Sequence, residues 1–540
     1  MDCIDRAIIK GRNVSQFDSL NMQTWEMFER DRNGKKLFLF GTGAVTELFF
    51  AKFHDKMPVE GVLDNDGKKQ GINVRDLLGG AWENSKRDSL IGGKSVLKAY
   101  NPEQIIVLIC SLNYGDEIAR ELRGMGIEHI YSFLIMEAKE RDRRGIAREG
   151  LAEDEKASYA GRYLEAEIQE RKILFRAFGD YADHEKYITE ALLKAGQNLD
   201  LVWLVSDLHT EVPAGVRKVL HSNWQKAIYE YETARIWVSD LPVPEYIKKK
   251  PGQIYIQTKH WASITLKKFY LDTKAFREEP EKLKIWKREG EMIDYIVTGS
   301  EFDKESCKRG FGNKCRFIEA GSPRTDAMFH EADNRRKILD YYGIEGKKKL
   351  LLYAPTYRFD EEKGSSMHTS RNIEMDFGQI KKALEEKFGG SFMILLRLHP
   401  SVSNACSHIE FPPYVVNVSD YGDSQELASA ADIMISDYSS IMFEPAFVGK
   451  PVFLFATDKR EYQEREYDLL IDYDTLPFPI AESNLELAGK IHQFDRKAYE
   501  KRVEEFLRLY GVNEDGHASE RAAAAIVQLT QGEKSCLRLQ

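Results

Sequence analysis

The sequence has few cysteines and no long apolar run, and each shortage excludes a class of protein. Its six cysteines, none in a Cys-x-x-Cys pair, are Cys3, Cys110, Cys307, Cys315, Cys406 and Cys536. Such scattering argues against a disulfide framework and against a zinc site, and it is typical of a reducing cytosol. No apolar run approaches the roughly 20 residues of a membrane span, and the charged N-terminus has no apolar signal segment. We therefore expect a cytoplasmic protein whose contact with a membrane is peripheral.

An excess of positive charge is missing as well. The chain carries 78 Lys and Arg against 87 Asp and Glu, a formal net charge of −9, which argues against a nucleic-acid partner. Its hydrophobic share of 42% and charged share of 31% are ordinary for a soluble protein. A chain of 540 residues suffices for about three or four domains of ~150 residues each. Composition leaves the oligomeric state open.

The most informative stretch, residues 431–455, reads ADIMISDYSSIMFEPAFVGKPVFLF. Its apolar run at 433–435 predicts a buried parallel strand, and the polar cluster at 436–440 predicts a turn that leads into a helix. Free backbone N–H groups at a helix N-terminus attract anions, and nearby hydroxyls add donors. The hydroxyl donors of this predicted anion site are Ser436, Ser439 and Ser440. An ordinary capped helix is the alternative interpretation.

Residues 1–148 predict an N-terminal Rossmann-like α/β domain. The strand at 37–40 runs into Gly41-Thr-Gly43 and a helix, and Asp64 follows about 20 residues later. This is most of a dinucleotide-binding fingerprint, although Thr46 replaces the third glycine. Gly41, Gly43 and Asp64 are therefore a candidate nucleotide site. The alternative is that the glycines only let the helix pack closely on the strand.

The rest of the chain predicts a linker and two further α/β domains. Residues 149–198 are dense in alternating charge and predict a helical linker. Residues 199–333 and 334–540 each alternate short apolar strands with helices, and the strands end in polar residues, as in parallel sheets that bind ligands at their carboxyl ends. Two such domains in tandem indicate the GT-B architecture, with ligands bound in the cleft between them.

Six motifs occur in order along these two domains: PGQIYIQT at 251–258, TGS at 298–300, GSPRTD at 321–326, YAPTYR at 353–358, RLHP at 397–400 and SDYSSIMFEPAFVGKPVFLF at 436–455. Together they closely resemble the CDP-glycerol glycerophosphotransferase family of teichoic-acid and capsule enzymes, over roughly residues 200–530. The resemblance implies transfer of glycerol phosphate, or a related polyol phosphate, from a CDP-activated donor to a hydroxyl of a polymeric or lipid-linked acceptor. CMP leaves. It also implies a bacterial enzyme at the inner face of the cell membrane.

The resemblance assigns roles to individual residues. The donor's phosphates are assigned to Ser436, Ser439, Ser440, Arg397, Arg358 and Arg324. Lys267 and Lys268 are assigned to an anionic acceptor, with a solvated surface as the alternative, and Arg324 could instead cap the Gly-Ser-Pro turn. No metal site and no required cofactor are expected, although Mg²⁺ could assist through the pyrophosphate.

The catalytic base is assigned to a histidine. Many family members carry Trp-His-Gly or Trp-His-Ala here, whereas this chain has an inverted order, His260-Trp261, with no glycine following. We assign His260 as the base and His399 as a second catalytic residue on the donor side. The acidic residues to test next are Asp207, Asp240 and Asp437. Alternative functions are a GT-B glycosyltransferase, a nucleotide-sugar epimerase, or a non-catalytic paralogue that lost its base through the inversion.

Overall fold

The computed structural model describes residues 20, 23–53, 57–74, 90–111, 114–143, 150–267, 269, 270, 273, 280–312, 314–356, 374–398, 411–465 and 469–531. Over these residues the chain forms three parallel β-sheets of four, seven and six strands. It divides into two compact units. The first comprises residues 1–162, 221–228 and 244–247, and the second comprises residues 163–220, 229–243 and 248–540. No helix in the described ranges is both long enough and apolar enough to cross a bilayer.

The first unit is built on the four-stranded sheet, in the order β2-β1-β3-β4. Its central strand β3 is buried along its whole length, which explains its uninterrupted apolar sequence. Its elements are α1 (Trp25–Arg32), β1 (Lys36–Phe40), α2 (Ala44–Phe53), β2 (Gly61–Leu63), 3-10 helices Lys94–Ala99 and Pro102–Gln104, β3 (Ile105–Ile109), α3 (Gly115–Gly124), β4 (Ile130–Ser132), α4 (Phe133–Arg143) and α5 (Gly150–Gly161).

The second unit begins with the seven-stranded sheet, in the order β11-β10-β9-β8-β5-β6-β7. We call this the first half. Its elements are β5 (Gln169–Arg176), α6 (Asp183–Lys194), β6 (Asp200–Val205), β7 (Val216–Leu220), α7 (Trp224–Thr233), β8 (Ala234–Ser239), β9 (Ile254–Gln257), α8 (Pro280–Met292), β10 (Tyr295–Val297), α9 (Glu301–Phe311), β11 (Arg316–Ile318) and a 3-10 helix, Pro323–His330.

The second half of this unit carries the six-stranded sheet, in the order β14-β13-β12-β15-β16-β17. Its elements are α10 (Glu331–Tyr342), β12 (Lys349–Tyr353), α11 (Phe377–Phe388), β13 (Phe392–Leu396), β14 (Val415–Asn417), α12 (Ser424–Ala430), β15 (Ile433–Ser436), a 3-10 turn Ser440–Met442, α13 (Phe443–Phe447), β16 (Val452–Phe455), α14 (Lys459–Arg465), a 3-10 turn Tyr473–Thr475, β17 (Ile480–Ala481), α15 (Asn484–His492), α16 (Arg496–Leu509) and α17 (Ala518–Thr530).

The predicted helical linker at 149–198 is wrong, because it contains a strand near the middle of the seven-stranded sheet. Strand β5 lies between β8 and β6, and helix α6 follows it. The first three residues of β5 are exposed and only the next four are buried. Because charged residues precede its short apolar stretch, the sequence was interpreted as part of a solvated helix.

The prediction that residues 334–540 all belong to the last domain is wrong as well. Helix α17 packs Ala522, Ala523 and Ile526 into the core of the first half, against residues such as Ile173 and Trp203. An alanine-rich helix can approach a sheet closely because its side chains are small. The chain thus returns to the first half after completing the second.

Candidate functional site

The loop that follows β9 places one side chain in solvent. Between residues 255 and 266 every residue is buried except His260. The residue before it, Lys259, has φ of 58° and so occupies left-handed backbone, which a lysine adopts only under constraint. A buried, strained loop that exposes a single titratable side chain indicates a functional residue. We call residues 258–266 the His260 loop.

The beginning of helix α6 holds the His260 loop in place. Glu185 accepts a hydrogen bond from the hydroxyl of Thr258. His184 bonds the carbonyl of Trp261 through Nε2 at 2.9 Å, and its Nδ1 accepts the backbone N–H of Arg324 at 3.4 Å. Burial lowers the pKa of His184 to about 3. These two bonds require a neutral ring with its proton on Nε2, so His184 is a fixed structural group.

His260 has the protonation state that a base needs at neutral pH. Its imidazole reaches solvent but lies among many protein atoms, and the resulting desolvation lowers its pKa below the ordinary value. Asp183 acts in the opposite direction, and the nearby cations Arg324, Lys267 and Lys259 lower the pKa further. The imidazole is therefore neutral at pH 7 and able to accept a proton.

Three buried carboxyl groups near this loop have different charge states. Burial acts to raise the pKa of Asp183, but Arg324 and the neighbouring histidines outweigh it and bring the pKa below the ordinary value. Burial, together with the neighbouring carboxylates, raises the pKa of Glu185 and of Asp240 well above the usual range. Asp240 is held by the backbone N–H of Phe178 at 3.0 Å. Asp183 is thus the carboxylate that stays charged beside His260.

Arg324 connects the His260 loop to the second half. Its Nη1 donates to Asp183 at 2.7 Å and to the carbonyl of His260 at 2.9 Å, while its Nη2 donates to Glu444 on α13 at 2.6 Å. The whole residue is 5% exposed. Both terminal nitrogens are therefore engaged by protein acceptors. The predicted bidentate phosphate contact stays a prediction, and it would require Arg324 to leave these partners.

The predicted anion turn follows β15, as expected, but its three serines differ. Ser436 is fully buried and its hydroxyl donates to the carbonyl of Ala354 at 2.8 Å, which makes it a structural group here. Ser439 and Ser440 are half-buried. The helix beyond them is short, since it consists of a 3-10 turn and the five residues of α13. Hydroxyl and N–H donors, more than a long helix dipole, would thus bind an anion.

Ser440 lies against the His260 loop. Its Oγ is 3.1 Å from the hydroxyl of Thr265 and accepts the N–H of Leu266 at 3.3 Å. The neighbouring Asp437 accepts the N–H of Thr356 at 2.8 Å and its hydroxyl at 2.6 Å, which fixes the start of the turn. The structure therefore brings the predicted donor turn into contact with the loop that carries the predicted base.

Three of the predicted site residues, Arg358, His399 and Lys268, lie outside the described residues. Arg397 is half-buried at the end of β13 and donates to the carbonyl of Tyr421 at 2.7 Å. Lys267 is half-buried, pairs by a β-bridge with Leu469, and places its ammonium 5.7 Å from the ring centre of Tyr462. These contacts leave the predicted donor role of Arg397 and acceptor role of Lys267 as predictions.

The polar groups of the candidate nucleotide turn in the first unit form hydrogen bonds with one another. Gly41 has φ of 114°, and a Cβ there would lie 2.5 Å from the carbonyl oxygen of Cys110. The hydroxyl of Thr46, which replaces the third glycine, donates to the carbonyl of Gly41 at 2.6 Å. Asp64 accepts the hydroxyl of Thr42. Nucleotide binding through Gly41, Gly43 and Asp64 stays a prediction, and these contacts favour the packing alternative.

The basic run at 248–250 does not form the exposed cationic surface that would favour an anionic membrane. Lys249 donates to Asp294 at 2.6 Å. Lys250 is 9% exposed and donates to the carbonyls of Ala166 at 2.9 Å and Tyr163 at 3.1 Å. Two of the three ammonium groups are therefore bound within the protein.

Two kinds of residue were missed by the sequence analysis. Asp183, His184 and Glu185 follow β5 as an Asp-His-Glu run, and recognition of that strand would have placed them at a sheet edge with His260. Asp303, described below, gave no signal in the sequence. It looks like one more charged residue of a helix with alternating charges.

Comparison with known proteins identifies the family. Residues 159–528 match the family model for CDP-glycerol:poly(glycerophosphate) glycerophosphotransferase. The chain is 29% identical over 371 residues to the teichoic acid poly(glycerol phosphate) polymerase of Staphylococcus epidermidis, a match that covers 66% of this chain and only 50% of the relative. It is 27% identical over 384 residues to the teichoic acid glycerol-phosphate transferase of Staphylococcus aureus, covering 66% of this chain and 92% of the relative.

Solved structures give the same result. The structure of the wall teichoic acid polymerase TagF superposes with a TM-score of 0.62 at 26% identity, covering 72% of this chain and 97% of that chain. A histidine variant of TagF soaked with CDPG superposes with a TM-score of 0.61 at 26% identity, covering 72% and 96%. These matches confirm the predicted family and the predicted α/β fold with paired parallel-sheet domains.

Proposed function

Because the chain belongs to the CDP-glycerol:poly(glycerophosphate) glycerophosphotransferase family, we propose that it transfers glycerol phosphate from CDP-glycerol to a hydroxyl of a teichoic-acid-like polymer. The observation that carries this proposal is the exposed, neutral imidazole of His260 in a loop whose Thr265 hydroxyl lies 3.1 Å from the hydroxyl of Ser440 in the donor turn. A hydroxyl nucleophile needs a base, and a pyrophosphate donor needs fixed hydrogen-bond donors. The second unit contains candidates for both.

The proposed reaction is an in-line phosphoryl transfer. The acceptor oxygen forms a bond to the phosphorus that carries glycerol, and the bond from that phosphorus to the bridging oxygen breaks. CMP leaves with the bonding electron pair, and the acceptor's proton passes to the imidazole of His260. Ser439 and Ser440, with nearby backbone N–H groups, stabilise the negative charge that develops on the leaving phosphate.

Arg324 positions the groups that we assign to this reaction. It bonds the backbone carbonyl of His260 and the carboxylate of Glu444, which follows the donor turn. A guanidinium with acceptors on both sides fixes the distance between the base and the donor turn. Catalysis of phosphoryl transfer rests largely on such positioning.

The acceptor and the cellular site extend this proposal. Since the relatives are named as teichoic acid polymerases and transferases, we expect a lipid-linked or polymeric acceptor, with a capsular polymer as the alternative, reached by peripheral contact at the inner face of the bacterial membrane. Binding to anionic liposomes should then weaken as salt rises to physiological strength. Salt-independent binding, or no binding at all, would contradict the electrostatic part of this proposal.

A donor screen tests the function itself. CDP-glycerol, CDP-ribitol and UDP-sugars are each mixed with the protein and a synthetic poly(glycerol phosphate) acceptor on an alkyl lipid, and CMP or UDP release is measured. We expect CMP release with a CDP-polyol and none with UDP-sugars. UDP release would favour a glycosyltransferase, UDP-sugar isomerisation an epimerase, and no turnover a non-catalytic paralogue. Among the described residues no group of side chains suits a metal. We propose that no cofactor is required and that Mg²⁺ can assist through the pyrophosphate, and parallel assays with EDTA test this.

A further inference from the structure

Asp303 binds the two residues on either side of His260. One carboxylate oxygen lies 3.0 Å from Nζ of Lys259, and the other accepts the indole N–H of Trp261 at 3.0 Å. Lys259 and Asp303 are both fully buried, at 1% and 0% exposure. These bonds of Asp303 reach the neighbours of His260 and not its imidazole. One buried carboxylate therefore holds both flanks of the residue that reaches solvent.

These contacts explain how the unusual sequence Lys259-His260-Trp261 is accommodated in the fold. A buried ammonium is costly without a counter-ion, and a buried indole N–H needs an acceptor. Asp303 supplies both requirements at once. Lys259 also donates to the carbonyls of Trp261 at 3.2 Å and Ala262 at 3.4 Å, so its ammonium bonds the backbone that follows His260. The inverted order is thus a packed and fully partnered structure.

Asp303 is itself rigidly placed. It lies in the first turn of α9, where its N–H donates to the N-cap Ser300 at 3.0 Å, and its carboxylate accepts the N–H of Gly299 at 3.2 Å. Ser300 donates in turn to the carbonyl of Ser263, at the far side of the loop, at 2.6 Å. Helix α9 therefore holds the His260 loop in a fixed position.

We propose that Asp303 is a positioning residue for His260, which it holds toward solvent by fixing Lys259 and Trp261. This inference rests on the proposed function, because it gives His260 a task that depends on its position. His184 holds the same loop through the carbonyl of Trp261. The loop is consequently fixed by side chains from both α9 and α6, while the imidazole of His260 remains exposed to a substrate.

The test separates positioning from folding with a charge-balanced pair of substitutions. Asp303→Asn alone leaves the ammonium of Lys259 buried without a counter-ion and is expected to lower Tm strongly. Asp303→Asn with Lys259→Met removes both charges together and should recover most of that Tm. We expect this double variant to keep its KM for CDP-glycerol within about 2-fold while kcat falls about 10- to 100-fold, the size of effect that misplacement of a catalytic group produces.

Hydrogen exchange supplies a readout that does not depend on activity. Peptides that cover residues 258–266 should exchange faster in the double variant than in the wild type. The matched control is Lys172→Met with Glu230→Gln, which removes another buried ion pair, at 2.8 Å, from the same half. That control should change neither kcat nor exchange in the His260 loop.

Each outcome decides one of the two proposals. A stable double variant with near wild-type kcat, or with unchanged exchange at 258–266, overturns the positioning role of Asp303. Wild-type protein that releases no CMP from any CDP-polyol overturns the proposed function, and the exchange data then decide alone whether Asp303 fixes the loop. Reduced kcat with faster exchange and an unchanged donor KM supports both.

Discussion

Two strand ends in this chain use left-handed backbone, and they use it for different purposes. After β1 the residue is Gly41, with φ of 114°, and after β9 it is Lys259, with φ of 58°. At Gly41 a side chain is excluded by the carbonyl of Cys110. At Lys259 a long side chain is present, and its ammonium is bound by Asp303. The positive φ is accommodated at Gly41 because glycine has no side chain. At Lys259 it is a strained conformation that the surrounding contacts impose.

The surroundings of the two turns complete the contrast. Beside Gly41 the polar side chains satisfy one another, since Thr46 bonds the glycine carbonyl and Thr42 bonds Asp64. Around Lys259, residues 255 to 266 are buried with the exception of His260, which is exposed. A glycine fingerprint by itself therefore indicates close packing of helix and strand. Strain at a residue other than glycine, next to one exposed titratable group, indicates function more strongly.

The largest expected effect is on the exposed imidazole. His260→Ala should lower kcat by about 10²–10⁴-fold, the usual contribution of a general base, with donor affinity nearly unchanged. The measurement is CMP release under saturating donor and acceptor. His492→Ala is the matched control, because His492 is also solvent-exposed but lies on α15. Near wild-type kcat for His260→Ala would break the comparison, and Asp207, Asp240 and Asp437 would be tested next.

The donor turn should show a smaller effect, on binding. Ser439→Ala with Ser440→Ala should weaken CDP-glycerol binding by about 1–3 kcal/mol, the scale of charge-assisted hydrogen bonds. Titration calorimetry measures this directly. Ser483→Ala is the control, since Ser483 is the N-cap of α15 and its loss should reduce helix stability without changing affinity. Equal donor affinity in the double variant and the wild type would remove these hydroxyls from the site.

Substitution at the first turn should affect stability alone. Gly41→Ala places a Cβ 2.5 Å from a backbone oxygen in left-handed backbone, and we expect it to destabilise the first unit by about 1–3 kcal/mol. Gly43→Ala is the matched control, because no atom lies within 4 Å of its added Cβ, and it should cost only about 0.5 kcal/mol. Urea unfolding measures the difference. Equal losses for the two variants would show that Gly41 is not required sterically.

The smallest expected effect is a shift in pH dependence. Since desolvation lowers the pKa of His260, the wild-type kcat should fall only below the ordinary histidine value of about 6.5. Asp183 raises that pKa, whereas Arg324, Lys267 and Lys259 lower it. Asp183→Asn should therefore move the acidic limb of the profile to lower pH, by less than about one unit. A limb that moves to higher pH, or stays in place, would contradict the assigned electrostatics.

Much of the fold followed from local pattern. Short apolar strands that end in polar residues predicted the parallel sheets, and the turn at 436–440 lies after β15 as its sequence indicated. These features depend on neighbours in sequence, so periodicity and turn chemistry reveal them. Strand β5 was missed because only four of its eight residues are buried. A local pattern fails where burial is imposed by distant elements.

The sequence by itself determined the family and the alternation of short parallel strands with helices, and it suggested the candidate base, because these features lie in short motifs of neighbouring residues. Only the tertiary structure decided how the candidate residues are used. Arg324 meets Asp183 and Glu444 across separations of 141 and 120 residues, and Asp303 meets Trp261 across 42. Buried charges are satisfied by whichever partner the folded chain brings near. Exposure of His260 within a buried loop likewise exists only after the sheets have packed.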